Sequence, residues 1–356
     1  MAPDSTPFGN SDVFLAPLSG YTDLPFRQAC RRQGCRLAFA PLLDASALIH
    51  GNPRNRTILL RGEEELWLGL QILGAKPGDL AEAATRLNER DFDVLDFNMG
   101  CPVPKVTKRG AGAALSHNAD LAIACIRALT ANSRFPVTAK IRVVSDTDPK
   151  PTVELGQRLE QAGIRRLTIH GRMWERVYSG PVAVDIIAEV RDALRIPVVA
   201  NGAVFDLRTG VELRALSRCD AIMVARGAIG NPWLFRELLG GDTTRPKHEE
   251  VCYAVEEQVR GMVELYGERT GMRNARKIIL AYLTGRGYRR ALRSSVTGIS
   301  TEAEFGELMN VLRNEGPSHR YDPAQGGLAR LERERNEATQ SWLTRRREPF
   351  LVESER

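Results

Sequence analysis

The chain has 356 residues, 43% of them hydrophobic, with a net charge of +6 at pH 7 and six cysteines. No apolar stretch approaches the roughly 20 residues of a membrane helix, and the cysteines show neither a CxxC pair nor zinc-ligand spacing. The start, "MAPDSTPFGNSDV", lacks the basic-then-apolar order of a secretory signal, so the expectation is a monomer of the reducing cytoplasm, without metal or membrane.

From residue 12 to about residue 235, eight short apolar runs alternate with amphipathic stretches. The runs are "VFLAPLSG", "LAFAPLLDA", "LWLGLQILG", "VLDFNMGCP", "VTAKIRV", "LTIHGR", "PVVANGA" and "AIMVARGAI". Each has the length and content of a strand buried on both faces, as in a parallel sheet. Between them, "DLAEAATRLNER", "DLAIACIRALTAN", "TVELGQRLEQAG" and "AVDIIAEVRDAL" have helical periodicity and end at Gly, Asn or Pro signals. Eight such units predict an α/β fold, a (β/α)8 TIM barrel over residues 1–240. No GxGxxG follows the first run, which argues against an open dinucleotide-binding sheet.

The Gly, Thr and Pro cluster in "LLGGDTTRPKHEE" then reads as a linker near 239–248. Three helical patterns follow, predicting a small all-helical domain over 249–316. Residues 317–356 are charge-rich and polar, the composition of a mobile tail.

In such barrels chemistry collects where the strands end. The first run ends Pro17-Leu18-Ser19-Gly20, and the third contains Gln71. The fourth ends Asn98-Met99-Gly100-Cys101, and the fifth carries Lys140 and Arg142. The last three end His170-Gly171-Arg172, Asn201-Gly202-Ala203 and Ala225-Arg226-Gly227. Polar groups buried without partners cost free energy, so their placement at seven of eight run ends marks a site. Lys140 and Arg142 lie two apart in one strand and share a face, which demands an anion or an electron-rich ring. Gly202, Gly227 and Arg226 fit a phosphate at the seventh and eighth loops, a frequent barrel location. A phosphorylated, aromatic, anionic cofactor such as FMN meets all three requirements. Cys101 stands in a Gly-Cys-Pro corner beside Lys105, Lys108 and Arg109, the partly open, basic setting of a working thiol.

Charge is concentrated elsewhere too. Arg269, Arg273, Arg276, Lys277, Arg286, Arg289, Arg290 and Arg293 occur with no Asp or Glu among them, the footprint expected for a polyanion partner.

The pattern "APLSGYTD…FR", "LQILG", "FNMGCPVPKV…GAGAAL", "AKIR", "TIHGR", "VVANGA" and "MVARGAIGNPWLF" resembles the tRNA-dihydrouridine synthases, from about residue 13 to 316. The "GAGAAL", "GNPWLF" and "RNARKIILAYL" forms resemble the bacterial B-type branch. The resemblance implies an FMN-containing barrel with a C-terminal tRNA-binding helical domain, reducing the C5–C6 bond of specific uridines with NADPH as reductant. Carried onto this chain, it makes Cys101 the general acid at uracil C5, with hydride from flavin N5 to C6. Asn98 and Arg142 would hold the uracil. Pro17, Leu18, Ser19, Gly20, Gln71, Lys140 and His170 would hold the flavin ring. Asn201, Gly202, Ala203, Ala225 and Arg226 would take the ribityl phosphate. On charge, Lys105, Arg273, Arg276 and Lys277 are then expected to contact tRNA phosphates. Ala203 replaces a usual acidic residue, Ala225 a usual Gly, and Leu18 a usual Met, the last a volume-conserving change.

Other readings use the same residues. An FMN barrel acting on a free pyrimidine, like a dihydroorotate dehydrogenase, shares the flavin site but has no use for the basic helices. A lyase with a Lys140 Schiff base would be colourless. An RNA-binding scaffold without chemistry has no need of Cys101, Lys140, Arg142 and His170 together.

Overall fold

The computed structural model describes residues 12–318. Each of the eight apolar runs holds one barrel strand: β1 (Val13–Leu15), β2 (Leu37–Phe39), β3 (Leu68–Leu73), β4 (Val94–Met99), β5 (Val137–Arg142), β6 (Leu167–His170), β7 (Val198–Asn201) and β8 (Ala221–Val224). All neighbours pair in parallel. β1 joins β2 on one side and β8 on the other, and β2 joins β3, closing the cylinder. A two-residue strand, Leu43–Asp44, flanks the end of β3.

Outside the strands lie α1 (Leu24–Arg31), α2 (Pro77–Leu87), α3 (Ala119–Asn132), α4 (Lys150–Gln161), α5 (Val184–Ala193), α6 (Leu207–Ser217) and α7 (Leu234–Gly240). Their starts follow local chemistry. Asp23 accepts from the Phe26 amide at the head of α1, Asp206 and Thr209 form a capping box on α6, and Pro77 opens α2 where no amide partner is needed. Their apolar stripes meet the outward residues of the strands in the main core. The N-terminal end of the barrel is plugged by Phe14, Phe39 and Trp67, with ring centroids 5.4–6.3 Å apart. The buried Arg166 guanidinium lies 4.6 Å over Phe14 and within 5.8 Å of the other two rings, so the ligand-accessible space is confined to the opposite end.

Four further helices follow: α8 (His248–Tyr266), α9 (Glu268–Leu283), α10 (Arg290–Ser295) and α11 (Glu302–Glu315). They enclose their own core around Val255, Met272, Ile279, Tyr282 and Leu312, which Trp233 of the barrel also enters. The two units meet closely at Gly230, whose backbone runs against Ala281 and Tyr282. Arg286 donates to the Gly230 carbonyl at 2.9 Å and to Asn231 Oδ1 at 3.0 Å. Among the described residues no helix is long and apolar enough to cross a membrane, and no cluster of His, Cys, Asp and Glu is arranged to hold a metal. The charge-rich tail lies almost wholly outside the described residues.

Candidate active site

The C-terminal strand ends surround a cavity of about 470 Å3. Pro17, Leu18, Ser19, Gln71, Asn98, Cys101, Lys140, Arg142, His170, Asn201, Gly202, Ala203, Ala225 and Arg226 all line it. Register accounts for the grouping. Asn98 is level with Lys140, and two residues further along Arg142 is level with His170 and His170 with Asn201, so two adjacent rows at the strand ends carry the polar set. Gly20 stands just outside, its carbonyl accepting from Lys277 Nζ at 2.5 Å.

The cavity wall is cationic. Lys140 Nζ donates to Asn201 Oδ1 at 2.9 Å, a neutral partner. Burial, then the Arg142 charge, presses its ammonium from the ordinary 10.5 down to about 7, against the pull of Asp96. Burial and three neighbouring arginines and Lys140 hold His170 well below the ordinary histidine value, so its ring is neutral at pH 7. Arg172 NH1 stands 3.4 Å from His170 Nε2, which assigns the ring proton to Nδ1. Burial lowers Arg142 to about 10, and it stays charged at neutral pH. Its Nε donates to the Gly100 carbonyl at 2.8 Å and NH1 to the Val177 carbonyl at 2.7 Å. Arg226 lies 4.3 Å over the Tyr178 ring at the rim. Gly202 at φ +142° and Ala203 at φ +53° line the same cavity as Arg226. Alanine rarely adopts that left-handed backbone, which costs roughly 1–2 kcal/mol.

A buried lysine with this depressed pKa has a signature. Between about pH 7 and 10.5 the unfolded chain holds the Lys140 proton and the folded protein does not. Stability contributed by this group therefore rises with pH across that window, and the buried ammonium is costly below it. The melting temperature of flavin-free protein is expected to climb from pH 6 to 9 more steeply in wild type than in Lys140→Met. Parallel curves would show that Lys140 is not desolvated.

Cys101 is half-buried, whereas the other five cysteines are buried. Burial pushes Cys35 up to about 12 and Cys125, Cys219 and Cys252 to about 11, which leaves those thiols inert. The Cys101 corner is held from both sides. Its amide donates to Asn98 Oδ1 at 3.0 Å, and its carbonyl accepts from the Ala113 amide at 3.0 Å. Gly112, at φ +62°, permits that approach, because a Cβ there would stand 2.7 Å from the Cys101 carbonyl oxygen. Gly112 belongs to the glycine-rich "GAGAAL" stretch.

The basic residues separate into different roles. Lys105 lines a neighbouring groove rather than the cavity, and Arg109 is held by Asp44 at 2.7 Å rather than standing free beside the thiol. Arg276 Nε donates to the Ile299 carbonyl at 2.6 Å, and Arg286 belongs to the joint between the units. Arg269, Arg273 and Lys277 are exposed at spacing i, i+4, i+8, on one face of α9. Lys277 lies 4.0 Å over the Tyr21 ring, and Tyr21 lines the cavity, so this stripe leads to the cavity mouth.

Sequence reasoning missed two contributors. Asp96 lies fully buried beneath the site and accepts from Gln71 Nε2 at 2.6 Å and Thr138 Oγ1 at 2.5 Å. A carboxylate two residues before Asn98 in an otherwise apolar strand was the available signal. Tyr178 comes from a loop with no periodic pattern, and nothing local marks it.

A closed parallel barrel with a cationic, ring-sized cavity at its C-terminal face has the architecture of a flavin-dependent oxidoreductase. The family model "Dihydrouridine synthase (Dus)" matches residues 14–315. The chain is 34% identical over 278 residues to tRNA-dihydrouridine synthase B of Pasteurella multocida, covering 77% of this chain and 84% of that protein. It is 34% identical over 310 residues to tRNA-dihydrouridine synthase B of Shewanella oneidensis, covering 86% and 96%. Among solved structures, 6-hydroxypseudooxynicotine amine oxidase from Pseudomonas geniculata aligns with a TM-score of 0.51 at 13% identity, covering 85% of this chain and 63% of that one, a likeness of fold alone. The chain belongs to the dihydrouridine synthase family, and the two relatives compared above are both named tRNA-dihydrouridine synthase B.

Proposed function

We propose that this enzyme reduces the C5–C6 bond of uridines in tRNA to 5,6-dihydrouridine, with FMN as cofactor and NADPH as reductant. The observation that carries the proposal is the half-buried Cys101 on the wall of the same cavity as Lys140, His170 and Arg226. The fit of FMN rests on charge and shape. Among the described residues Lys140 donates to a neutral partner, Asn201 Oδ1, and an anion beside it would relieve its depressed pKa. Arg226 with the Gly202 and Ala203 backbone offers a phosphate cradle. Pro17, Leu18, Ser19, Gln71, Lys140 and His170 would hold the ring. FMN bound there would supply the hydride for C6.

The chain's own residues do the remainder. Asn98 and Arg142 orient the uracil. Cys101 gives its proton to C5. The fixed corner around Cys101 keeps the donor in one position, and Tyr178 and Leu42 line the same cavity.

A uridine must leave its stack to enter this cavity, at a cost of a few kcal/mol. Phosphate contacts along α9 offset that cost. Arg269 to Lys277 spans about 12 Å, enough for about two phosphates of one strand. The double substitution R269E/R273E is expected to weaken tRNA binding and to flatten the plot of log affinity against log salt by about one to two units of slope. Flavin content should not change, since neither residue touches the cavity. An unaltered slope would remove α9 from the tRNA footprint. The reaction itself is tested by mass-spectrometric mapping of dihydrouridine in tRNA from cells with and without the gene. Loss at defined positions supports the proposal. An unchanged map with a yellow purified protein favours a free pyrimidine as substrate instead.

A further inference from the structure

We propose that Asp96, buried beneath the cavity, is a positioning residue that fixes the direction of a hydrogen-bond relay ending on the Cys101 corner. The relay crosses two strands. Gln71 Nε2 donates to Asp96 Oδ2 at 2.6 Å, Asn98 Nδ2 donates to Gln71 Oε1 at 2.6 Å, and Asn98 Oδ1 accepts from the Cys101 amide at 3.0 Å and the Gly100 amide at 3.3 Å. Amide side chains can turn end for end with little change in shape, so something must choose their direction. Ionised carboxylate oxygens only accept. Facing Asp96, Gln71 must present its nitrogen, which aims its oxygen at Asn98. Asn98 must then present its nitrogen to Gln71, leaving its oxygen for the two amides. One buried carboxylate thereby decides that the corner finds an acceptor rather than a second donor.

Asp96 is equipped for this. Thr138 Oγ1 donates to its other oxygen at 2.5 Å, and the Arg166 guanidinium supplies positive charge. Burial nonetheless raises its carboxyl from the ordinary carboxylate value, and the direction of the relay rests on the geometry of its contact with Gln71 Nε2. Asp96 and Asn98 share the inward face of β4, so the barrel interior carries the relay from beneath the cavity to its wall.

The consequence for catalysis rests on the role proposed for Cys101, but the relay can be read without it. Hydrogen–deuterium exchange of residues 99–103, measured on protein as purified at matched flavin content and without tRNA, reports the two amides. D96N is expected to raise their exchange about tenfold, the effect of about 1.4 kcal/mol of lost protection. T138V, which removes a donor to Asp96 but not the direction of the relay, should leave exchange at this corner unchanged. The pair D96N/Q71E reverses that bond, with the donor at 96 and the acceptor at 71, while the carboxylate introduced at 71 still accepts from Asn98 Nδ2, and it should restore protection. Should D96N not fold, Q71M removes the middle link and should loosen the corner equally. Unchanged protection in D96N or Q71M, equal loosening in T138V, or no rescue by the pair overturns the relay. A loosened corner with undiminished tRNA reduction would leave the relay standing and sink the acid role of Cys101.

Discussion

Cys101→Ala is expected to slow uridine reduction by about 10²- to 10⁴-fold, the range a positioned general acid supplies. The thiol lies on the cavity wall, and its corner is held through backbone groups. Removing Sγ therefore deletes the proton donor while sparing those contacts. Flavin content, tRNA affinity and melting temperature should stay close to wild type. Cys101→Ser keeps the shape but offers a far weaker acid, so it should resemble the alanine variant in rate. Single-turnover reduction of unmodified tRNA by pre-reduced enzyme is the appropriate measurement, because it isolates the step at uracil. A loss of less than about fivefold, far short of what general acids contribute, would mean that another group or water supplies the proton.

Gly230→Ala is expected to destabilise the protein by about 2–5 kcal/mol and to uncouple the helical unit from the barrel. Two independent costs meet there. Gly230 sits at φ +65°, and an added Cβ would stand 2.3 Å from the Ala281 carbonyl carbon and 2.5 Å from the Tyr282 nitrogen. Both are backbone atoms of a packed helix and cannot turn aside. Separation would also strip Arg286 of its bonds to Gly230 and Asn231. Urea denaturation followed by tryptophan fluorescence should show a lower midpoint or a second transition, since Trp233 lies at this joint. The same variant should bind tRNA poorly even at temperatures where the barrel keeps its flavin. An unchanged, single transition would show that the joint tolerates a shift the packing does not predict.

Much of this was legible before folding. Burial on both faces turns each parallel strand into a continuous apolar run, and eight such runs between amphipathic segments leave few architectures open. The residues closing those runs, from Pro17 to Arg226, are the ones that line the cavity, because parallel strands of a barrel all end at one face. The Asn98 to Cys101 corner could be read locally, since one of the bonds that hold it joins residues three apart.

Pairing between distant residues could not be read. In the sequence, the cations from Arg269 to Arg293 form one basic cluster. Helical phase and domain contact divide it, sending Arg286 into the joint and Arg276 onto Ile299, and leaving Arg269, Arg273 and Lys277 as the exposed stripe. Lys105 and Arg109 stand close to Cys101 in sequence, yet Asp44, 65 positions away, takes Arg109. Asp96 acquires its meaning only from the register that sets it opposite Gln71. The sequence by itself determined which chemistry the chain carries and at which strand ends, because periodicity and short motifs act over a few residues. Tertiary structure alone decided which charges stay exposed, which are absorbed as structural partners, and which way the buried amides point. Those outcomes depend on distances between residues far apart in the chain, and no local pattern encodes them.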